Sequence, residues 1–580
     1  MNAHYRGRFS DVEPEKLRGG YYTSARVAAW LCEWAIRTRT DSILEPSCGD
    51  GVFLEAAAKR LIELGARRAS VPGRLAGVEI VAAEAAKCRE RLRLLLRQQG
   101  TGNDVATADK VVARGNVVAG NNIVAGDFFE WWKRPGRKPV DVVAGNPPFI
   151  RYQNFPEPHR ARAMAIMSAA GLTPNRLTNI WVPFVVAAAA GLRSGGRLAL
   201  VLPAELLQVT YAAQLRSFLT DRFARIDIVA CNELLFDDAE QEVVLLLADG
   251  ALRAASETND CRVTLSEIPS AAQLTGCPSR TLLAHAEPKS IRHDREKWLK
   301  YFLTARQISF MRALRTSGAT ADLSRHAGID VGVVTGKNEF FVLNGAQVAE
   351  LGLTGHTTPL VSRSAHLKGA QIDRHDWNAL AAAGDRVYLL NLQPERGSKL
   401  PARLAKYLRS GEDTDVHKGY KCSIREPWYI VPSVWAPDGF LFRQIYDFPR
   451  AVLNSAGATS TDTIHRLTCR HEDTERVIAN TYTWLTAASA EIEGRSYGGG
   501  VLELEPTEAE RLLMPSTLNG AMPLGECDKL TRAGRIDEVL EENARVVLRG
   551  HMGLSEGDTL MLRDIWNKMR GRRLARRRAR

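Results

Sequence analysis

The sequence predicts an α/β protein: a mostly parallel sheet with helices on both faces, followed by a second, mixed α+β part. Three observations predict it. From residue 25 to about 250, short apolar runs alternate with amphipathic stretches. Those runs are nearly continuous in Val, Ile, Leu and Ala, as expected of strands buried on both faces and joined by helical crossovers. Several end in loops of Gly, Pro, Asn or an acid, and open α/β sheets hold ligands at such strand ends.

Apolar residues recur at three and four between Val27 and Ile36, which predicts a helix with Thr23 or Ser24 as its N-cap. Ser42-Ile43-Leu44 starts a strand, and Glu45-Pro46-Ser47-Cys48-Gly49-Asp50-Gly51 is a tight turn into a helix opening at Val52. Such a turn lets backbone approach a ligand closely and aims helix N–H groups at it. It lacks the spacing of a dinucleotide fingerprint and the Lys-Ser/Thr of a phosphate loop. The next strand, Leu75 to Ile80, ends near Glu79, a carboxylate suited to a ribose diol. Helix 82–98 follows, and residues 99–122 read as a loop with a weak strand. Strand Ile123-Val124-Ala125 ends near Asp127 and Phe128, an acid and an aromatic suited to an adenine ring.

The centre of the pattern is Val140-Asp141-Val142-Val143-Ala144-Gly145-Asn146-Pro147-Pro148-Phe149. Two prolines fix two φ angles and remove two donors, so the strand must stop in a stiff loop. An exocyclic amine needs two acceptors and a flat base needs a stacking face. Asn146 offers one acceptor, the Pro147 carbonyl another, and Phe149 the face. Residues 151–180 read as a loop over this site. Then come helix 180–192, a strand from Gly195 to Pro203, helix 211–222, and strands 226–229 and 243–247 paired as an antiparallel hairpin at the sheet edge. Helices are expected again at 297–314 and 473–492.

Composition bounds the class. At 580 residues with 45% hydrophobic and 25% charged content, the chain is globular with several domains. A net charge of +12 points to a polyanionic partner. Between Arg563 and Arg580, nine basic residues face Asp564 alone, and the segment reads as a solvated, disordered tail with phosphate affinity. The nine cysteines form no C-x-x-C pair or Cys/His cluster, which argues against a metal and for a reducing compartment. The start of the chain has no apolar signal core, and Ile180 to Leu192 is too short to span a bilayer. A cytoplasmic protein without membrane attachment is expected.

Four pieces in order resemble gamma-class adenine-N6 DNA methyltransferases of restriction–modification systems. They are Tyr22-Thr23, Leu44 to Leu54, Gly77-Val78-Glu79-Ile80 and Gly145-Asn146-Pro147-Pro148-Phe149. The Gly195-Gly196 strand ending at Pro203, and Phe236 ahead of a hydrophobic strand, also match. The likeness is good over residues 17–250 and weaker through Thr335-Gly336-Lys337-Asn338 and Gly494 to Gly500. It implies a Rossmann-like S-adenosylmethionine-dependent sheet. Thr23, Glu45, Pro46, Cys48, Gly49 and Gly51 would hold the methionine part of S-adenosylmethionine, Glu79 its ribose, and Asp127 with Phe128 its adenine. Asn146 and Pro147 would bind the N6 hydrogens of an adenine rotated out of duplex DNA. Phe149 would stack on that base, with Phe236 contacting its edge. A separately encoded restriction endonuclease is an implied companion. Ser24 stands where the family usually has proline, Val81 where an Asp is common, and Phe149 where Tyr is usual.

The expected organisation is a catalytic domain at 1–250, a connector at 251–320, a target-recognition domain at 321–515 and a helical basic extension at 516–580. Lys337, Asn338, Arg425 and Arg443 suit base edges or phosphates. Competing readings are a methyltransferase for RNA adenine or protein glutamine, a fused nuclease, and a DNA-binding specificity subunit with an idle fold. The amino-terminal Tyr-Thr segment and large carboxyl-terminal part weigh against the first, the short amino-terminal extension against the second, and the intact Asn146 loop against the third.

Overall fold

The computed structural model describes residues 23–97, 122–175, 178–231, 242–252, 261–284, 286–293, 296–392, 401–470 and 473–575. They fall into two compact units, one reaching Ala305 and the other running from Arg306 to Arg577.

The first unit is built on an eight-stranded sheet. Its strands are β1 (Ile43–Glu45), β2 (Leu75–Glu79), β3 (Ile123–Ala125), β4 (Val140–Gly145), β5 (Leu192–Pro203), β6 (Phe223–Cys231), β7 (Val243–Ala251) and β8 (Arg262–Ile268). Their spatial order is β3-β2-β1-β4-β5-β7-β6-β8. The helices between them are α1 (Ala25–Ala35), α2 (Val52–Glu63), α3 (Ala82–Arg97), α4 (Phe128–Trp132), α5 (His159–Ala169), α6 (Trp181–Ala190) and α7 (Ala213–Thr220). Strands β3, β2, β1, β4 and β5 are parallel, with Leu44 opposite Val143 and Glu45 opposite Gly77. The chain order reverses at β1 and β4, which opens a crevice at their carboxyl ends. Polar pins hold the opposite end. Asp141 accepts from the Ser42 amide at 2.9 Å and hydroxyl at 2.7 Å, and buried Arg197 pairs with Asp41 at 2.9 Å.

Three expectations for this unit are corrected. The antiparallel pair forms, but β7 lies inside the sheet between β5 and β6, and β8 is the outer strand beside β6. Val243 to Ala248 are all buried, as an interior strand requires. Strand β8 falls within the stretch read as connector, where its mixed composition hid it. Residues 151–180 are not simply a loop, because Pro158 precedes the eleven-residue helix α5. The α1 cap is Ser24, whose hydroxyl accepts from the Val27 amide at 3.4 Å.

The second unit holds smaller sheets. One runs, in spatial order, Ala327–Asp330, Ile464–Cys469, Gly439–Phe442, Ala451–Asn454 and Gln371–Ile372. A four-stranded sheet joins Val342–Leu343, Tyr388–Leu390, Thr357–Val361 and Thr459–Ser460. Three helical elements matter below: α8 (Tyr420–Ser423), α9 (Trp484–Glu493) and α10 (Glu556–Ala575). The expected helix 473–492 is two helices, because the Thr483 hydroxyl caps α9 through the Thr486 amide at 3.2 Å. The stretch 297–314 likewise divides into a turn at Trp298–Phe302 and a helix at Ala305–Thr316.

The described residues of the basic carboxyl-terminal segment, through Ala575, are helical and not a disordered tail, against expectation. Ile565, Trp566 and Met569 of α10 are buried, a helical spacing masked by the surrounding charge. Arg573 is 1% exposed and pairs with buried Glu491. Among the described residues, no helix is long and apolar enough to cross a membrane.

Candidate active site

Because β1, β2, β3 and β4 run parallel, Glu45, Glu79, Asp127 and Asn146 all lie at or just beyond one edge of the sheet. The Asn146 loop and the Glu45–Gly51 turn are adjacent because β4 is paired with β1. Two hydrogen bonds tie the loop down. The Ser47 hydroxyl donates to the Asn146 carbonyl at 3.1 Å, and Asn146 Nδ2 donates to the Thr23 hydroxyl at 3.2 Å. The second bond fixes the amide plane, with Oδ1 on the edge away from Thr23. Pro147 is buried, and Phe149 is half-buried against the core. The Ile150 carbonyl then accepts from the Ile180 amide at 2.9 Å, anchoring the far side of the loop at the start of α6.

The turn needs its glycines where backbones crowd. Gly51 has φ +93°, and a Cβ there would sit 2.6 Å from Cys88 Sγ on α3. A Cβ on Gly145 would meet Glu45 Cγ at 3.2 Å, so the two strand ends approach as closely as they do only with glycine. Glu79 braces the same turn. Its carboxylate accepts from the Gly49 amide at 2.9 Å and from the Val81 amide at 2.9 Å. Each oxygen retains a second lone pair for a ligand hydroxyl.

Glu45 is 3% exposed and its Oε2 has no hydrogen-bond partner among the described residues. Burial, followed by Cys88, Glu79 and Asp50, pushes its carboxyl well above the ordinary 4.5. The folded protein therefore keeps a proton there that the unfolded chain releases above that pH. The stability linked to Glu45 is full below 4.5 and is lost as pH climbs toward the raised value. In thermal melts of the cofactor-free protein, Glu45→Gln should make the fall of Tm with rising pH shallower than in wild type. Parallel slopes would remove this assignment. The neighbouring Cys48 thiol is also held protonated, by its hydrogen bond with Cys88 and then by burial.

Asp127 stands just beyond the carboxyl end of β3, as its strand predicts, and both its carboxylate and the Phe128 ring have partners within the protein. Asp127 caps α4, accepting from the Phe129 amide at 3.0 Å, and its other oxygen meets Arg162 at 3.0 Å and His159 at 2.9 Å. Phe128 is 3% exposed and stacks on Phe184 at 5.0 Å, so its ring faces the core and not an open crevice. Phe236 lies outside the described residues.

Ser47, Arg162 and His159 were missed. A hydroxyl in a small-residue turn has no signal of its own, and α5 was not read as a helix. Of the residues marked for DNA, Arg425 and Arg443 are engaged internally. Arg425 donates to the carbonyls of Thr335 at 2.9 Å and Val334 at 2.6 Å. Arg443 pairs with Glu503 at 2.7 Å and Glu505 at 3.0 Å. Asn338 accepts from the Thr335 hydroxyl at 2.5 Å, and Lys337 lies 3.9 Å from Glu339.

A β3-β2-β1-β4-β5 sheet with an antiparallel strand inserted before β6, acids ending β1 and β2, and Asn-Pro-Pro-Phe ending β4 define a Rossmann-like methyltransferase fold. Comparison with known proteins narrows this. Residues 76–235 match the family described as Eco57I restriction-modification methylase, and residues 295–548 match the Type II methyltransferase M.Eco57I, C-terminal domain. Type II methyltransferase M.AccI of Acinetobacter calcoaceticus is 21% identical over 420 residues, covering 69% of this chain and 71% of that protein. M.XamI of Xanthomonas campestris pv. amaranthicola is 22% identical over 508 residues, covering 86% of each. Two solved structures share the fold. The DrdV–DNA complex aligns with a TM-score of 0.50 at 12% identity, over 90% of this chain and 57% of that one. The restriction-modification enzyme LlaBIII bound to DNA gives 0.50 at 11% identity, over 90% and 39%. The chain thus spans little more than half of the former and well under half of the latter. Over these two matched segments the chain is similar to restriction–modification methyltransferases.

Proposed function

We propose that the protein transfers a methyl group from S-adenosylmethionine to N6 of an adenine rotated out of duplex DNA, within a short recognition sequence. The observation that carries this reading is the Asn146 loop, tied to Thr23 and Ser47 beside the Glu45–Gly51 turn. Asn146 Oδ1 and the Pro147 carbonyl accept the two amine hydrogens. Accepting both draws the nitrogen lone pair out of conjugation with the ring, so no side-chain base is required for attack. Phe149 supplies the stacking face that holds the extruded base, and Phe236 is assigned to its edge.

The turn suits a cationic cofactor. Among the described residues, Glu45 presents a buried oxygen without a partner and a Cβ on Gly49 would meet nothing within 4 Å, and Glu79 keeps acceptor capacity at the end of β2. Thr23, Glu45, Pro46, Cys48, Gly49 and Gly51 would hold the methionine part, Glu79 the ribose, and Asp127 the adenine amine, with Phe128 a wall behind it. When bound, S-adenosylmethionine supplies an electrophilic methyl on a sulfonium. Glu79→Ala should weaken binding by about 1.5–3 kcal/mol, the range for hydrogen bonds to a charged group. Isothermal titration with S-adenosylmethionine reads this, and wild-type affinity in the variant would strike out the ribose role.

The second unit is assigned to sequence reading, with 321–515 as its target-recognition part and 516–580 as a basic extension. A separately encoded endonuclease is the expected companion. The test is transfer of labelled methyl groups from S-adenosylmethionine to mixed-sequence duplex DNA, RNA or protein. Label confined to DNA supports the reading. Label in RNA or in glutamine side chains, or in none of the three, overturns it.

A further inference from the structure

The second unit presents two large apolar side chains that its core does not use. Tyr420 is 74% exposed and Ile424 is 63% exposed, the two highest values among the large hydrophobic residues described. They stand four positions apart across α8, which sets them on one face of the turn.

The backbone beneath them is firmly held. Cys422 is fully buried, and the amides of Cys422 and Ser423 both donate to the Gly419 carbonyl at 2.8 Å. Arg425 spans the carbonyls of Val334 and Thr335, as described above. Gly336, at φ +89°, comes so near that a Cβ would lie 3.0 Å from the Lys421 side chain and 3.1 Å from Cys422 Sγ. Behind the turn, Trp428 packs on Phe340 at 5.5 Å and donates to Glu412 at 3.2 Å. Three lysines stand close in sequence or in contact with this turn. Lys421 Nζ is 5.6 Å from the Tyr420 ring, Lys418 is 67% exposed and pairs with Asp415 at 2.8 Å, and Lys337 is 39% exposed and lies 3.9 Å from Glu339, both of them surface pairs that phosphates can displace.

We propose that Tyr420 and Ile424 form a wedge that enters the base stack of the bound duplex, with Lys337, Lys418 and Lys421 meeting the flanking phosphates. This rests on duplex DNA being the substrate. A protein partner fits poorly, since two side chains cover far less than the roughly 800 Å² per partner of a stable interface. A base step is apolar, narrow and bounded by phosphates, which matches an apolar tip with Lys421 against it and Lys418 and Lys337 on the flanking residues. A pre-built turn also spares the cost of ordering a loop on binding.

The test compares wild type with the double variant Tyr420→Ala/Ile424→Ala. The probe is a duplex carrying the sequence that wild type modifies, with 2-aminopurine at successive positions other than the modified adenine. The variant should bind about tenfold to a hundredfold more weakly, the range for losing one or two stacking contacts. It should lose the fluorescence rise that reports unstacking, and a duplex with an abasic site at the responding step should restore its affinity. S-adenosylmethionine affinity and Tm should stay at wild-type values, because neither side chain belongs to the core. Unchanged DNA affinity and fluorescence in the variant would overturn the wedge while leaving the methylation reading intact. A lowered Tm would reduce the pair to a structural role. A wild-type protein that marks no DNA would overturn the methylation reading itself, and the wedge with it.

Discussion

Asn146→Ala should leave the protein folded and able to bind S-adenosylmethionine while abolishing methyl transfer to DNA. The side chain sits at the end of β4 in a loop already held by two prolines, the Ser47 bond and the Ile180 amide, so truncation does not release the loop. What is lost is the acceptor for the second amine hydrogen. Removing one preorganised polar group at a reacting centre costs about 10²–10³ in rate, and this one acts on the nucleophile itself, so the loss should be at least that large. Single-turnover transfer measures the chemistry, and cofactor titration measures the ground state. A variant with near wild-type transfer would contradict the mechanism, and one that loses cofactor binding to the same degree would place Asn146 in cofactor binding instead.

Arg573→Ala should be the most destabilising single change in the second unit. Arg573 donates to both oxygens of Glu491, at 2.6 and 3.2 Å, and to the carbonyls of Ile445, Tyr446 and Gly500. Both side chains are almost fully buried, at 1% and 4% exposed. Removing the guanidinium strands a carboxylate that burial already drives toward protonation, and it leaves three carbonyls short of a donor. Breaking a buried pair from one side costs about 3–5 kcal/mol. Chemical denaturation should show that loss at neutral pH. The double variant Arg573→Met/Glu491→Leu should recover part of it, since no buried charge then remains. A loss below about 1 kcal/mol in the single variant would mean that α10 is not held by this pair.

The strand ends were legible because chemistry and topology agree there. In a parallel sheet every carboxyl end faces the same way, so Glu45, Glu79, Asp127 and Asn146 had to share an edge once their strands were read. The interior position of β7 was not legible, since an apolar run reveals burial and not its neighbours. The buried face of α10, within the extension expected to be helical, was hidden for the opposite reason: Arg570, Arg572 and Arg573 read as solvated charge, although Arg573 turns inward onto Glu491. Arg425 misled in the same way, because carbonyls of Val334 and Thr335 attract a guanidinium as well as phosphates do. The Asn146–Thr23 bond joins residues 123 positions apart, and no local pattern announces such a pair.

The most direct measurement digests duplex DNA to nucleosides after incubation with the protein and S-adenosylmethionine, and identifies the methylated base by mass. The account predicts N6-methyladenine as the modified nucleoside, absent when Asn146→Ala replaces wild type. Methyl groups on cytosine N4, or N6-methyladenine formed equally by the Asn146→Ala protein, would contradict it.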